Sequence, residues 1–179
     1  MPSEVWIWSR RESGTASWPR GECGREDRPC EKDTPVQARR HRAIECRRQG
    51  AHVQLVRQYE GYKPFADLGV NGKLTLAENI ADLAGVTAAH DAWRASLHGK
   101  PAPVIGGLTG EQQFFLAFAQ MYRAKFREPA LRRVLLTNGH SPGMYRLLTV
   151  RNLDAWYDAF GVRPGDALYL APADRVRPR

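Results

Sequence analysis

Glu78 and Asp82 stand four residues apart in Thr75-Leu76-Ala77-Glu78-Asn79-Ile80-Ala81-Asp82. On a helix that spacing puts both carboxylates on one face, a single turn apart. Such a pair suits a metal: Glu78 can ligate Zn²⁺ directly, and Asp82 can hold a ligating histidine in one tautomer through its second ring nitrogen. A plainer reading uses the same residues, because Thr75-x-x-Glu78 is also a capping box in which Glu78 returns to the Thr75 backbone. His140 lies in Asn138-Gly139-His140-Ser141-Pro142-Gly143, a turn-forming run that can aim a side chain into a cleft. There it can donate a hydrogen bond to an oxyanion, and Arg146, six residues on, can bind a carbonyl or carboxylate with its planar fork. The alternative is an ordinary surface histidine and arginine.

Other chemistry-bearing groups are weaker. Cys23, Cys30, His41 and Cys46 lack the short Cys-x₂₋₄-Cys pairing of structural zinc. Phe114, Phe115, Phe118, Met121 and Tyr122 recur at helical spacing, which predicts core packing ahead of a platform for bases. Lys125, Arg127, Arg132 and Arg133 form the clear basic cluster of the second half, a pattern typical of a solvated helix face.

The elements that must position these residues are helical. His52 to Tyr59 reads as a helix end stopped by Gly61 and Pro64, followed by a turn at Asn71-Gly72. Thr75 opens a helix running to about Leu97, with Leu76, Ile80, Leu83, Val86, His90 and Trp93 on its apolar face. Thr109-x-x-Gln112 repeats the capping signal before the aromatic helix, which we expect to be buried. Pro129 suits the first turn of a helix over 130–137 closed by Asn138-Gly139, and Asn152 is the expected cap of a last helix ended by Gly161.

The chain has 179 residues, 42% hydrophobic and 26% charged, which bounds it to one core of ordinary composition. No run of 18 apolar residues offers a membrane span, and the opening residues do not form an export signal. The net charge of +8 divides as +3 over residues 1–50 (11 basic, 8 acidic) and +5 over the rest (16 and 11), so there is no dedicated basic arm. All three cysteines and Trp6, Trp8 and Trp18 precede residue 50, in a stretch without clean periodicity. Wrong-frame translation of a GC-rich gene commonly gives such composition, and a disordered basic tail gives it too. We therefore divide the chain into an anomalous segment, 1–52, frame-shifted or disordered, and an interpretable part, 53–179.

The interpretable part resembles the neprilysin and endothelin-converting-enzyme family of zinc metalloendopeptidases. The resemblance is carried by Val70-Asn71-Gly72-Lys73-Leu74-Thr75-Leu76-Ala77-Glu78-Asn79-Ile80-Ala81-Asp82-Leu83 and by Gln113-Phe114-Phe115-Leu116-Ala117-Phe118-Ala119-Gln120. It continues in order through His140-Ser141-Pro142-Gly143, Tyr145-Arg146, Ala159-Phe160-Gly161 and Pro164-Gly165-Asp166. It implies a mainly α fold, the C-terminal helical portion of a thermolysin-like zincin catalytic domain, preceded by a disordered or irregular segment. It also implies Glu78 as a zinc ligand, Asp82 as the residue orienting a zinc-bound histidine, and His140 as the transition-state donor. Arg146 would bind substrate backbone, and Met121 and Tyr122 would lie near the pocket for the residue after the scissile bond.

The implied cofactor is one Zn²⁺ per complete domain, and the implied partner is a peptide, with no nucleic acid expected. Members of this family usually work outside the cytoplasm. The family draws its other two zinc ligands and its general base from a His-Glu-x-x-His helix, and no such motif occurs among the histidines at 41, 52, 90, 98 and 140. The expectation is therefore a catalytic half that does not hold zinc alone. The rival is a noncatalytic basic helical remnant that binds peptides or nucleic acid; oligomeric state is not legible.

Overall fold

The computed structural model describes residues 34–177, in a chain that divides into two compact units, Met1–Glu45 and Cys46–Arg179. The Trp6, Trp8 and Trp18 region and the Cys23, Cys30, His41 and Cys46 side chains lie outside what is described, as does most of the expected anomalous segment.

The first helix, α1 (Pro35–Glu60), begins well before His52, where the pattern predicts order to start. Its opening is a capping box: the Thr34 amide donates to Gln37 Oε1 at 2.8 Å, and the Gln37 amide donates to Thr34 Oγ1 at 3.3 Å. Pro35 follows at the first helical position, where its missing N–H costs nothing. Helix formation there follows from caps and from Ala, Arg and Gln propensity rather than from an apolar stripe. The C-terminal end behaves as expected, with the Gly61 amide bonded to the Arg57 carbonyl at 3.1 Å.

Leu55 and Tyr59 of α1 are each 1% exposed and join a core with Val70, Leu83, Val86 and Phe115. Full burial of a leucine contributes about 1.5–3 kcal/mol. The Asn71-Gly72 turn passes so close to α1 that a Cβ on Gly72 would stand 2.3 Å from the Val56 carbonyl oxygen, so only glycine fits. This turn delivers the chain into α2 (Leu76–Ser96).

The Thr75 capping box does not form. Thr75 precedes α2 without a side-chain cap bond. Its hydroxyl donates instead to the Asn71 carbonyl at 3.0 Å and accepts from Asn79 Nδ2 at 2.9 Å. Glu78 is thereby released from the backbone role.

The second capping box does form. Thr109 and Gln112 exchange bonds of 3.0 and 3.3 Å and open α3 (Gly110–Met121). Gln112 Nε2 also donates to the Ala159 carbonyl at 2.9 Å, which ties α3 to α6 (Asp154–Phe160). Expectation and structure part over the burial of α3: Phe115 is 3% exposed, but Met121 is 71% exposed. The helix is amphipathic, packing on α6 and on His90 and Trp93 of α2. His90 is a core histidine, its Nε2 2.6 Å from Glu111 Oε2.

Helix α4 (Glu128–Thr137) carries Pro129 in its first turn, as expected. Its Arg132, from the basic cluster, is held at 2.8 Å by Asp67 and 2.9 Å by Glu128 over the Phe65 ring. The single turn α5 (Gly143–Arg146) continues into a 3₁₀ segment, Leu147–Asn152, that packs on α2. Asn152 does not cap α6; Leu153 occupies that position without a side-chain cap bond. Asn152 instead exchanges amide bonds of 2.9 and 3.0 Å with Gln58 of α1 and accepts the Val176 amide at 2.8 Å. Gly161 ends α6 at φ 63°, the left-handed conformation expected of it. Among the described residues no helix is long and apolar enough to cross a membrane.

Candidate active site

Two short assemblies join α2 to the segment over 138–146. The first is built on Asn79, which is fully buried. Its Nδ2 donates to Thr75 Oγ1 at 2.9 Å, and its Oδ1 accepts from Ser141 Oγ at 3.0 Å. Both partners are 3% exposed, so the bonds form away from competing water. With Ser141 pinned to α2, the neighbouring His140 is delivered to Glu78, Nε2 to Oε2 at 2.9 Å. Asn138 holds the other side of the histidine: its Oδ1 accepts the His140 amide at 2.9 Å and lies 3.2 Å from Nδ1. Both ring nitrogens thus lie within hydrogen-bonding distance of a side-chain oxygen. The His140 and Glu78 side chains are 49% and 41% exposed, so this end of the site is open.

The second assembly centres on Asp82, whose side chain is 6% exposed. Arg146 donates from Nε to Oδ2 at 2.8 Å and from Nη2 to Oδ1 at 2.6 Å, a bidentate pair. The Tyr122 hydroxyl adds a third bond, to Oδ1 at 3.1 Å. The Asp82 carboxylate raises the Arg146 pKa above the ordinary guanidinium value through those bonds. Burial, and after it the Asp82 charge, raises the Tyr122 phenol above its ordinary range. The Arg146 guanidinium lies 4.9 Å from the Tyr122 ring centroid, and Phe118 meets that ring edge-on at 5.3 Å. Gly143 makes the approach possible, because a Cβ there would stand 2.7 Å from the Tyr122 carbonyl oxygen.

Of the six expected site residues, the structure brings Glu78 to His140, and Asp82 to Arg146 and Tyr122. Met121 is the exception, being largely solvent-facing and outside both assemblies. Sequence reasoning misses Asn79, Asn138, Ser141 and Gly143, which hold the others in place. Their signal is in the same two segments: a polar residue between Glu78 and Asp82 on the inward face, and the Asn-Gly-His-Ser-Pro-Gly run itself.

The model of peptidase family M13 matches residues 37–176. The chain belongs to that family. The M13 match starts inside α1, ahead of the boundary at residue 52 drawn from composition. Neprilysin-21 of Caenorhabditis elegans is 36% identical over 114 residues, covering 59% of this chain and 15% of that protein. Human endothelin-converting enzyme 1 is 33% identical over 146 residues, 79% of this chain and 18% of the relative. The crystal structure of the Mycobacterium tuberculosis zinc metalloprotease Zmp1 with an inhibitor superposes at a TM-score of 0.70 and 40% identity, over 80% of this chain and 22% of that one. The chain thus spans about a fifth or less of the curated M13 relatives it matches.

The M13 resemblance implies zinc. Among the described residues there is no group of three or more His, Cys, Asp or Glu side chains placed to hold a metal. Glu78 is the one expected ligand present, with its Oε2 facing His140. These residues alone do not make a zinc site, which normally needs three protein ligands.

Proposed function

We propose that this chain supplies one wall of the active site of an M13 zinc endopeptidase that cleaves peptides, with the remaining ligands and the general base contributed by polypeptide beyond the motifs present here. The observation that carries the reading is the Asn79–Ser141 bond, which sets His140 and Glu78 side by side although 62 residues separate them. Two independent family segments converge there on one place.

In this reading each residue has a task set by its chemistry. Glu78 offers a carboxylate at the open end, as the metal ligand from this chain. His140 is the N–H donor toward the scissile carbonyl oxygen as that oxygen gains negative charge; a preorganised donor of this kind is worth about 10²–10³ in rate. Arg146 has five N–H donors. Two point at Asp82, which leaves the others for a substrate carbonyl. Asp82 is a positioning group, and Tyr122 lines the pocket beside it. Met121 belongs to the same pocket by resemblance, and its exposure makes it the outer edge of that wall. The whole protein acts outside the cytoplasm in this reading, as the family implies.

A chimera tests this. Residues 46–179 replace the matching segment of a zinc-bearing M13 relative, and hydrolysis of a fluorogenic peptide is measured. Activity is expected, with Glu78→Gln abolishing it, and His140→Ala and Arg146→Ala each lowering it at least about a hundredfold. A folded chimera whose activity ignores His140 and Arg146 would contradict the assignment.

A further inference from the structure

Asp82 accepts three donors, and one of them is unexpected for a residue assigned only to a pocket wall. A carboxylate has about four acceptor positions, two on each oxygen. Oδ1 takes Arg146 Nη2 at 2.6 Å and the Tyr122 hydroxyl at 3.1 Å, while Oδ2 takes Arg146 Nε at 2.8 Å. Oδ1 is therefore saturated and Oδ2 keeps one position. The tyrosine is itself fixed on three sides: by its hydroxyl on Asp82, by Arg146 on its ring face and by Phe118 against its edge. Its backbone carbonyl lies against Gly143 at the start of the turn that carries Arg146.

We propose that Tyr122 is a positioning residue of this site: by filling Oδ1, its hydroxyl fixes the rotation of the Asp82 carboxylate, the direction in which Arg146 is presented, and the single Oδ2 position open to a further N–H donor. This rests on the M13 reading for its catalytic meaning. The geometry also limits chemistry at position 122. A phenylalanine keeps the stacking and loses the lock, and a smaller residue loses both.

The test uses the full 179-residue chain, labelled with ¹⁵N, and follows solvent exchange of the Arg146 Nε–H, assigned by its loss in Arg146→Lys. Tyr122→Phe is expected to accelerate that exchange by about tenfold or more, the scale of a lost bond to a charged acceptor. Backbone amide shifts away from the site should stay in place. Asp82→Ala should accelerate it further, and Tyr122→Phe should add nothing in that background, because the effect runs through Asp82. A change below about twofold in Tyr122→Phe, or an equal acceleration in both backgrounds, overturns the proposal. A second readout leaves Tyr122 intact: the titration of its ring ¹³Cζ signal should move to lower pH in Asp82→Asn, and an unmoved midpoint overturns the proposal as well. Neither readout involves zinc or peptide hydrolysis. The lock can therefore fail while the peptidase reading stands, and an inactive chimera leaves both readouts untouched.

Discussion

Arg146 grips Asp82 with two parallel N–H bonds of 2.8 and 2.6 Å across 64 residues of sequence, and the aspartate is the more buried partner. That asymmetry decides which loss is worse. Arg146→Ala strands a nearly buried carboxylate and is expected to cost about 3 kcal/mol, whereas Asp82→Ala leaves an arginine that can reach water and costs about half as much. Urea denaturation of the two variants and the double variant checks the order, and the double variant should be less destabilised than the sum.

Asn79 is the buried joint between α2 and the His140 loop. Asn79→Ala takes the acceptor from the Ser141 hydroxyl and leaves the Thr75 hydroxyl its bond to the Asn71 carbonyl alone, and should cost about 2 kcal/mol, against about 1 kcal/mol for Ser141→Ala. The nuclear magnetic resonance signals of His140 should shift in both variants, since the loop loses the same anchor.

Gly143 and Gly139 are in one loop and should respond differently to the same change. Gly143→Ala drives a Cβ to 2.7 Å from the Tyr122 carbonyl, while Gly139 has nothing within 4 Å. The first should cost about 1–3 kcal/mol through overpacking and the second less than about 0.5 kcal/mol. Thermal unfolding of the two variants provides the comparison.

The phenols of Tyr59, Tyr62, Tyr122 and Tyr145 are all held above the ordinary tyrosine value, burial being the first cause in each. A group that binds its proton more tightly folded than unfolded contributes stability that is complete below the unfolded pKa, about 10, and is lost as pH rises through the folded value. Unfolding free energy should therefore fall above pH about 10. Tyr59 is the most buried of the four, and among the described residues its hydroxyl has no hydrogen-bond partner. Tyr59→Phe should flatten the alkaline loss while costing little at neutral pH.

The legible parts of this chain are those governed by local rules. Thr109 and Gln112 announce α3, Pro129 starts α4 and Gly161 stops α6, each by a preference set within one turn of backbone. Thr75 and Asn152 carry the same local signals and do otherwise, because a partner distant in sequence competes for the side chain: buried Ser141 through Asn79 in one case, half-buried Gln58 in the other. The start of α1 is missed because no apolar stripe marks it, although Thr34 and Gln37 supply a cap. For the site, the types and spacing of Glu78 and Asp82 allow a metal role and a capping role alike, and only the family segments join them to His140 and Arg146. The Asn138 clamp and the Tyr122 hydroxyl bond are set by loop closure, which spacing does not encode.

The most direct test of the central claim is the zinc content of the chimera that carries residues 46–179, determined by metal analysis after dialysis, with and without Glu78→Gln. The account predicts one zinc per polypeptide in the parent chimera and little retained in the variant, because the chain contributes a ligand and not a complete site. Full retention of zinc by a folded Glu78→Gln chimera would contradict it.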